Sequence, residues 1–434
     1  MIIKPVKLIQ GQLQLPGDKS ISHRAAMIAA LARGTSRLRD FSPSEDCAAT
    51  LSCLQQLGVT VIHDHQVVVI KSTGTLKAPS ESLDCGNSGS TMRLLAGMLA
   101  GQAFTATLTG DESLRTRPMG RIMEPLKMMG AGVESEAALA PLIITGRSPL
   151  AAIRYELPVA SAQVKSCILL AALNAEGRTE VVEKKPTRDH TERMLQWFGV
   201  PLHITSASDS SAARIAIEGP AQFDARDVCI PGDISSAAFF IAAAVLLSGS
   251  NLVMENVGLN PSRSQFLAVL RSLGADIEIG NIRDEYNEPV GTVQVRSGLV
   301  PASNSEARHL SGAMIPALID ELPLLAVLGT QIEGGIEIHD AGELRVKETD
   351  RIAATVANLR AMGAKVEEYD DGLKVGGPIR LHGATVDSRG DHRIAMAFAV
   401  AALIAEGETE IQDADCVAVS FPGFFDLLNS AVKR

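Results

Sequence analysis

The chain has 434 residues, which is too long for one ordinary hydrophobic core and predicts two or three domains. Hydrophobic residues make up 46% of the sequence but aromatic residues only 3%, so the core must be mainly aliphatic, and 21% charged residues do not indicate disorder. A net charge of −10 argues against non-specific nucleic-acid binding, which requires a broad basic surface.

The N-terminal segment and the cysteines indicate the cytoplasm. Residues 1–19 lack the apolar core of a signal peptide, and the longest wholly apolar run, residues 237–247, is far shorter than the ~20 residues that a membrane span needs. Six cysteines show no CxxC pair and no zinc-ligand spacing, which favours buried thiols and predicts no metal site. They are Cys47, Cys53, Cys85, Cys167, Cys229 and Cys416.

One pattern recurs six times along the chain. An apolar segment rich in Ala and Leu ends at a glycine, and the gaps between successive glycines are 67, 76, 72, 85 and 73 residues. A period of this length indicates duplication of one supersecondary unit. A glycine in that place also predicts a left-handed helix C-cap. These glycines are Gly34, Gly101, Gly177, Gly249, Gly334 and Gly407.

A second helix follows in each repeat. Five of these helices end in variants of Leu-Gly-Ala, whereas the sixth, FFDLLNSAV, lacks the glycine. Extended stretches such as HQVVVIKS and DGLKVGG predict strands between them. Because the first helix of each repeat has almost no polar face, it must be buried. The prediction is an α/β protein with three repeats in each of two domains; an ordinary α/β protein with coincidental helix ends is the alternative.

Cations collect at the starts of the apolar helices. Ser, Asn and Asp at these positions are ordinary N-caps, and this interpretation suffices for Asp233, Ser235 and Ser236. A cation there opposes the helix dipole, so its presence indicates that an anion binds nearby. The cations are Lys19, Arg24, Arg93, Lys165 and Arg393.

Three further loops are basic: Arg115–Pro118, residues 187–191, and residues 345–351, which read RVKETDR. By itself RVKETDR is also compatible with a solvated face in which Lys347 and Arg351 pair with acidic neighbours. The sequence contains no Walker loop, nucleophile elbow, zinc helix or dinucleotide fingerprint, so it predicts no nucleotide, metal or nicotinamide cofactor.

Six blocks of the sequence, in order, closely resemble those of the EPSP (5-enolpyruvylshikimate-3-phosphate) synthase family. The blocks are LPGDKSISHRA, CGNSGSTMR, RTRP, ASAQVKS, RVKETDR and DSRGDHRIAM. SFPGFFDLL near the end fits as well, so the resemblance covers nearly the whole chain.

The resemblance implies a two-domain, inverted α/β barrel-like fold with six βαβαββ repeats and buried parallel helices. Residues 1–16 and 232–434 would form one discontinuous domain and residues 17–231 the inserted domain, with the active site in the interdomain cleft. It also implies transfer of enolpyruvyl from phosphoenolpyruvate to the 5-hydroxyl of shikimate-3-phosphate, a step of the shikimate pathway and of aromatic amino acid biosynthesis. A cytoplasmic monomer without cofactor, membrane or nucleic-acid partner is expected, with domain closure on the substrates.

The family's binding residues transfer onto this sequence by position. Shikimate-3-phosphate would be held by Lys19, Ser20, Arg24, Ser161, Ala162, Gln163, Arg188, Asp320 and Lys347. Phosphoenolpyruvate would be held by Lys19, Asn87, Gly89, Arg117, Gln163, Arg351 and Arg393. Arginine suits this task because its planar fork pairs with phosphate and carboxylate in a bidentate manner.

Three residues are candidates for the chemistry. Glu348 would protonate and deprotonate C3 of phosphoenolpyruvate, and Asp320 would accept the hydroxyl proton. Lys19 would assist the hydroxyl or the departing phosphate.

The chain departs from the family pattern at several positions. Asp18 replaces a serine common in one branch, and residues 418–422, AVSFP, lack the lysine that this branch places there. The resemblance implies that glyphosate binds and inhibits, but Gly89 and the ASAQVKS block give opposite indications about the strength of inhibition.

Two other functions compete with this interpretation. The related transferase acting on UDP-N-acetylglucosamine has a reactive cysteine in the loop where this chain has residues 114–117, LRTR. A non-catalytic, anion-binding repeat protein would not need both Asp320 and Glu348 beside its cations. Both alternatives are therefore less compatible with the residues than an EPSP synthase.

Overall fold

A computed structural model of the chain describes residues 1–64, 67–206, 212–299 and 305–433. The chain divides into two compact units. Unit 1 consists of Met1–Pro16, Pro231–Arg283 and Pro289–Arg434, and unit 2 of Gly17–Ile230 and Asp284–Glu288. The second boundary thus lies one residue before the predicted one, and the sequence did not predict that residues 284–288 group with unit 2.

The helices of the two units fall into a buried set and a more peripheral set. They are α1 (Lys19–Leu31), α2 (Glu45–Gln56), α3 (Gly89–Ala100), α4 (Glu112–Arg115), α5 (Gly120–Met128), α6 (Ala162–Ala172), α7 (His190–Trp197), α8 (Ile234–Leu246), α9 (Gln265–Ser272), α10 (Ile315–Leu318), α11 (Leu322–Gly329), α12 (Arg351–Ala361), α13 (His392–Ile404) and α14 (Phe424–Ala431).

The strands are short and form six small sheets. In the first half they are β1 (Ile2–Ile3), β2 (Leu8–Leu13), β3 (Arg33–Arg39), β4 (Thr60–Asp64), β5 (Val67–Thr73), β6 (Leu83–Asp84), β7 (Thr105–Thr109), β8 (Gly132–Glu134), β9 (Leu142–Thr145), β10 (Leu150–Ala151), β11 (Arg154–Glu156), β12 (Ala175–Glu183), β13 (Leu202–Ser206), β14 (Ala213–Gly219) and β15 (Val228–Cys229). In the second half they are β16 (Asn251–Gly258), β17 (Ala275–Glu285), β18 (Glu288–Leu299), β19 (His309–Leu310), β20 (Ile336–Ile338), β21 (Val366–Tyr369), β22 (Gly372–Val375), β23 (Thr385–Asp387), β24 (Thr409–Gln412) and β25 (Val432–Lys433).

Five sheets share one strand order. In four of them, a strand that precedes the buried helix pairs in parallel with the strand after it. In the fifth, β3, which follows α1, pairs in parallel with β15 from the end of unit 2. In all five, the strand after the helix pairs antiparallel with the last strand of a hairpin. The orders are β15-β3-β5-β4, β6-β7-β9-β8, β11-β12-β14-β13, β2-β16-β18-β17 and β19-β20-β22-β21. The sixth sheet, β1-β24-β23, takes its antiparallel strand from the N-terminus. The repeated βαβαββ unit is therefore confirmed among the described residues.

The predicted strands and second helices lie close to their expected positions. HQVVVIKS forms β5 from Val67 onward; its first two residues, 65 and 66, lie outside the described residues. DGLKVGG forms β22, and FFDLLNSAV forms α14.

The first helix of each repeat forms the core of its unit, as the absence of a polar face predicted. In α8, for example, every residue from Ile234 to Val245 is buried. The core is mainly aliphatic; in unit 1 it includes a cluster of four contacting rings, Phe239, Phe240, Phe421 and Phe424.

The predicted left-handed C-caps on these buried helices are wrong. Gly101 does cap α3, but with φ −85°, and Gly34 and Gly177 have φ of 119° and 102° inside β3 and β12. Gly249, Gly334 and Gly407 have φ between 79° and 93°, but each lies beyond the C-cap of its helix.

The glycines that directly follow a C-cap in the left-handed conformation come after the second helices: Gly58, Gly130, Gly199, Gly274 and Gly363 have φ between 84° and 94°. A short helix that must turn sharply into a strand needs this conformation. The buried helices end differently: the C-caps of α1, α8 and α13 are extended, and those of α6 and α11 are still right-handed helical.

The tip of the β17–β18 hairpin packs within unit 2. Tyr286 and Asn287 form the turn with φ of 54° and 63°. The Tyr286 ring packs edge-on against Trp197 with centroids 5.1 Å apart, and Arg193 Nη1 donates to Asn287 O at 2.8 Å. These contacts explain why residues 284–288 belong to unit 2.

No single helix among the described residues is long and apolar enough to cross a membrane. One pair of short helices, Gly312–Leu318 and Leu322–Gly329, meets the length and composition criteria together but is bent by 106°.

Candidate active site

The first predicted site residue of unit 2 lies at the start of α1. Asp18 caps this helix, because its carboxylate accepts a hydrogen bond from the Ile21 backbone N–H at 2.8 Å. Lys19 is the first helical residue, and its Nζ lies 2.8 Å from Asp46 Oδ2. The Lys19 side chain keeps 17% of its surface exposed. The ion pair thus holds the ammonium in place while leaving part of it accessible to a ligand.

Arg24 lies one turn further along α1 and is 4% exposed. Its guanidinium is fixed by three neighbours: Nε donates to Thr191 Oγ1 at 2.7 Å, Nη2 to Ser166 Oγ at 3.0 Å and Nη1 to Ser20 O at 2.9 Å. Burial lowers the pKa of Arg24 to about 10, and Glu192 opposes the shift. Arg24 is therefore a cation of fixed orientation at neutral pH.

Helices α3 and α6 touch closely, and this contact brings two predicted residues together. A Cβ at Gly97 would lie 2.2 Å from the backbone oxygen of Cys167, so only glycine allows this approach. One turn earlier on each helix, Arg93 Nη1 donates to Gln163 Oε1 at 2.8 Å. Gln163 Nε2 in turn donates to Ser90 Oγ at 2.9 Å. The helix contact thus joins the glycine loop to the ASAQVKS block.

Two arginines converge on the first residue of α3. A Cβ placed on Gly89 would lie 2.6 Å from Arg93 Nη1 and 3.6 Å from Arg117 Nη1. Arg117 is 6% exposed and donates from Nη2 to Asn87 Oδ1 at 2.6 Å, while Asn87 Nδ2 donates to Asp111 Oδ2 at 2.7 Å. Two guanidinium groups beside a helix N-terminus form an arrangement that binds phosphate or carboxylate.

The remaining predicted residues of unit 2 lie on α6 and before α7. Ser161 caps α6 by accepting a hydrogen bond from the Val164 N–H at 3.4 Å, and Ala162 is the first helical residue. Arg188 lies half-buried in the connection between β12 and α7.

Lys165 is a cation at a helix start that two carboxylates enclose completely. It is fully buried, and its Nζ lies 3.0 Å from Glu183 Oε2 and 2.6 Å from Glu192 Oε1. Burial lowers the pKa of Lys165, but the two carboxylates more than offset it, so the pKa lies above its ordinary value. The prediction that each of these cations marks a bound anion is therefore wrong for Lys165.

A buried chain of polar side chains joins the starts of α1 and α3. His23 Nδ1 is 2.7 Å from Thr50 Oγ1, Thr50 Oγ1 is 2.6 Å from Thr91 Oγ1, and Thr91 Oγ1 donates to Ser88 Oγ at 2.7 Å. Burial, aided by the adjacent cations, lowers the pKa of His23 to about 3. His23 is therefore neutral at physiological pH and adds no charge beside Lys19.

In unit 1, Asp320 lies among arginines from three different segments. It occupies the turn between α10 and α11, with its side chain 12% exposed. Its Oδ1 lies 3.3 Å from Arg351 Nη1 and 3.5 Å from Arg393 Nε, and its Oδ2 lies 3.3 Å from Arg263 Nη1. The three guanidinium groups thus surround one partly accessible carboxylate.

Arg351 is the most enclosed of the three, with 1% of its side chain exposed. Its Nη2 donates to Glu348 Oε2 at 2.6 Å and its Nε to Asp391 Oδ2 at 2.7 Å. Burial lowers its pKa, but Asp391, Glu348 and Asp320 outweigh burial and raise the pKa above the ordinary value. RVKETDR is therefore not a solvated face, since Arg351 is buried and Glu348 is its hydrogen-bond partner.

Arg393 joins this group through the start of α13. Its Nη1 donates to Ser235 Oγ at 2.8 Å and to the Asp320 backbone oxygen at 3.2 Å, and lies 3.6 Å from Glu321 Oε1. Ser235 was predicted to serve only as part of a helix cap. Asp233 does cap α8, accepting from the Ser235 N–H at 2.9 Å, but the Ser235 hydroxyl also bonds Arg393 and Glu321.

The sequence did not predict a role for Arg263. This residue is 4% exposed and lies 3.8 Å from Asp233 as well as beside Asp320. An arginine just before a second helix matches no motif that would mark it as a site residue. The only sequence feature that could have indicated a role is its position as a basic residue within a largely apolar repeat. Lys347, by contrast, directly follows the 3₁₀ helix Gly342–Val346 and is half-buried.

Among the described residues no group of three or more His, Cys, Asp or Glu is arranged to bind a metal ion. All six cysteines are free thiols; Cys229 and Cys416 are the two that are only partly buried.

The family model described as EPSP synthase (3-phosphoshikimate 1-carboxyvinyltransferase) matches residues 3–428. The chain belongs to the EPSP synthase family. A relative with the same description, 3-phosphoshikimate 1-carboxyvinyltransferase, from Koribacter versatilis (strain Ellin345) is 52% identical over 434 residues, which are 100% of this chain and 99% of that one. The enzyme of that name from Brevibacillus brevis is 47% identical over 98% of each chain.

A solved EPSP synthase from Acinetobacter baumannii superposes with a TM-score of 0.85 at 39% identity, covering 99% of this chain and 97% of that one. The enolpyruvyl transferase NikO from Streptomyces tendae, at 18% identity and a TM-score of 0.77, has the same fold. The predicted family, fold class and enzyme class are confirmed. EPSP synthases are transferases of the shikimate pathway and of aromatic amino acid biosynthesis.

Proposed function

We propose that this chain transfers the enolpyruvyl group of phosphoenolpyruvate to the 5-hydroxyl of shikimate-3-phosphate and releases phosphate. The observation that carries the proposal is the cluster in unit 1, where Asp320 and Glu348 lie against Arg351. A protein that only bound anions would gain nothing from two carboxylates among its cations, because they repel the ligand. Proton transfer requires such groups.

The proposed chemistry balances in two steps. In the first, C3 of phosphoenolpyruvate takes a proton from Glu348 while the 5-hydroxyl oxygen bonds to C2 and gives its proton to Asp320. In the second, the C2–O bond to phosphate breaks, C3 returns a proton to Glu348, and Asp320 passes the hydroxyl proton to the departing phosphate, so both carboxyl groups return to their starting states. Lys19 stabilises the reacting hydroxyl or the departing phosphate.

The charges of both units suit these substrates, each of which carries a phosphate and a carboxylate. We propose that Arg24, Arg188, Ser20, Ser161, Ala162, Gln163 and Lys347 hold shikimate-3-phosphate, and that Gly89, Asn87, Arg117, Arg351 and Arg393 hold phosphoenolpyruvate. The convergence of Arg93 and Arg117 on Gly89 supports the second assignment. Arg93 and Arg263 are added to the predicted set because they contact it directly.

The finer properties expected from the family belong to the same proposal. The enzyme acts as a monomer in the cytoplasm, without membrane or nucleic-acid partners, and closes its two domains around the substrates to exclude water. Glyphosate inhibits it at the phosphoenolpyruvate site.

Phosphate release by the purified protein tests the function directly. Release is expected only when phosphoenolpyruvate and shikimate-3-phosphate are both present. Release with UDP-N-acetylglucosamine instead would assign the related transferase, and binding of both ligands without release would identify a binding protein.

Asp320→Asn tests the cluster. Removing a general base is expected to lower kcat about 100-fold or more, with melting temperature near that of the parent. Asp276→Asn is the matched control, since Asp276 is exposed and its Oδ2 lies 3.3 Å from Nη1 of the surface residue Arg296. An Asp320→Asn enzyme with the parent's kcat would remove Asp320 from the mechanism.

A further inference from the structure

Lys165 is a buried charge that the proposed chemistry does not use. Its side chain and those of Glu183 and Glu192 have 0%, 4% and 3% of their surface exposed. Removing such groups from water costs several kcal/mol per ion, and an apolar trio of equal volume is often as stable. Stability alone therefore gives little reason for this trio, so its position in the fold is informative.

The two carboxylates lie at opposite ends of the connection that carries Arg188. Glu183 is the last residue of β12, and Glu192 lies in the first turn of α7. A single ammonium thus fixes both ends of the intervening segment. Glu183 acts on the segment itself as well, because its Oε1 accepts a hydrogen bond from the hydroxyl of Thr187, the residue directly before Arg188.

The same turn of α7 also fixes Arg24. Thr191 Oγ1 accepts from Arg24 Nε at 2.7 Å and lies 2.6 Å from Ser166 Oγ. On the other side of the turn, His190 Nδ1 lies 2.7 Å from Glu288 Oε1, and both of these side chains are buried. The first turn of α7 is therefore held by contacts with Arg24, Ser166, Lys165 and Glu288.

We propose that Lys165, Glu183 and Thr187 form a positioning network that fixes Arg188 and Arg24 for binding the anionic groups of shikimate-3-phosphate. The inference rests on the proposed function and names a determinant of its affinity for this substrate. None of the three residues touches the substrate; they act through the two arginines. The phosphoenolpyruvate residues Gly89 and Arg117 lie outside this network, so its loss acts on one substrate only.

Thr187→Val is the variant of choice. Lys165→Met would leave two buried carboxylates without a partner and could prevent folding, whereas Thr187 is half-buried and valine keeps its shape. Initial rates of phosphate release are measured with each substrate varied in turn. We expect the KM for shikimate-3-phosphate to rise about 10-fold, the loss of one charge-assisted hydrogen bond, and the KM for phosphoenolpyruvate to change less than 2-fold.

Two companion variants separate positioning from general damage. Thr187→Ser restores the hydroxyl and should return the KM for shikimate-3-phosphate to within 2-fold of the parent. Thr105→Val is the control: it removes an exposed hydroxyl that lies 3.2 Å from Thr145 Oγ1 in the sheet of β7 and β9, which does not contain β12. This variant should change neither KM.

Every outcome of these measurements either supports or overturns the proposed network. An unchanged KM for shikimate-3-phosphate, an equal rise in both KM values, or a failure of serine to rescue would overturn the network while leaving the transferase intact. A parent protein that releases no phosphate with the two substrates would instead overturn the proposed function on which the inference rests.

Discussion

The substitution Gly89→Ala tests whether the proposed anion site at the start of α3 has room for a side chain at residue 89. The added methyl group would lie 2.6 Å from Arg93 Nη1, where an unstrained contact needs about 3.5 Å, so Nη1 must move by about 0.9 Å. That nitrogen is also 2.8 Å from Gln163 Oε1, and a displacement of this size takes it beyond hydrogen-bonding distance. Losing a hydrogen bond to a charged group costs about 1.5–3 kcal/mol, or roughly 10- to 150-fold in affinity.

The arginine is a flexible side chain, so the lower part of this range applies. We expect the KM for phosphoenolpyruvate to rise about 10- to 40-fold, the KM for shikimate-3-phosphate to change less than 3-fold, and the glyphosate concentration for half inhibition to rise in parallel. Rates of phosphate release with each substrate varied in turn give these values. Melting temperature should change little, because Gly89 has no positive φ.

Two variants make the reasoning refutable. Gly280→Ala is the matched control, since Gly280 is exposed and its new Cβ would meet nothing within 4 Å. In an Arg93→Lys background the contact with Nη1 no longer exists, so Gly89→Ala should raise the KM for phosphoenolpyruvate much less there than in the parent. An unchanged KM for phosphoenolpyruvate, or an equal cost in both backgrounds, would show that Arg93 does not transmit the effect.

Two further expectations concern ionisable groups. Glu348→Gln keeps a hydrogen-bond acceptor for Arg351 but cannot transfer a proton to or from the substrate. The kcat of phosphate release should therefore fall about 10²- to 10⁴-fold, and both KM values should stay within 3-fold of the parent. An unchanged kcat would refute the role of Glu348. Burial and neighbouring cations lower the pKa of His23 to about 3, so between pH 6.5 and 3 the unfolded chain binds a proton that the folded chain does not, and stability is lost as pH falls. From pH 7 to 4.5 this effect lowers the free energy of unfolding by about 2.5 kcal/mol. Urea unfolding, followed by fluorescence of the single tryptophan, Trp197, should show that His23→Gln loses less stability than the parent over this pH range. Equal losses of stability in both proteins would contradict this prediction.

The helices and the repeat could be predicted because their determinants are local. Asp18, Ser88, Ser161 and Asp391 each accept a hydrogen bond from a backbone N–H two or three residues further on, so the cap is visible in a few letters of sequence. The apolar segments have no polar face, which leaves burial as the only outcome. Local sequence was not sufficient to predict which glycines follow a helix C-cap in the left-handed conformation, because the backbone conformation at a helix end depends on the strand that follows it.

The candidate site was predictable in its residue types but not in its pairing. Arg93 and Lys165 are both cations in the first turns of buried helices, and nothing in the sequence distinguishes them. The fold separates them, because the carboxylates that enclose Lys165 come from Glu183 and Glu192, 18 and 27 residues later. Arg263 illustrates the same limit, since its partner Asp320 is 57 residues away.

The sequence by itself therefore determined the six repeats, the buried helices, the family and most of the charged residues proposed for the site. These follow from periodicity, from helix capping and from the order of short motifs, all of which act over a few residues. Tertiary structure alone decided which cation faces solvent, which is enclosed by carboxylates, and which glycine lies against an arginine. Those outcomes depend on distances between segments far apart in the chain, because a charge is stabilised or left free for a ligand only by the groups that the fold places beside it.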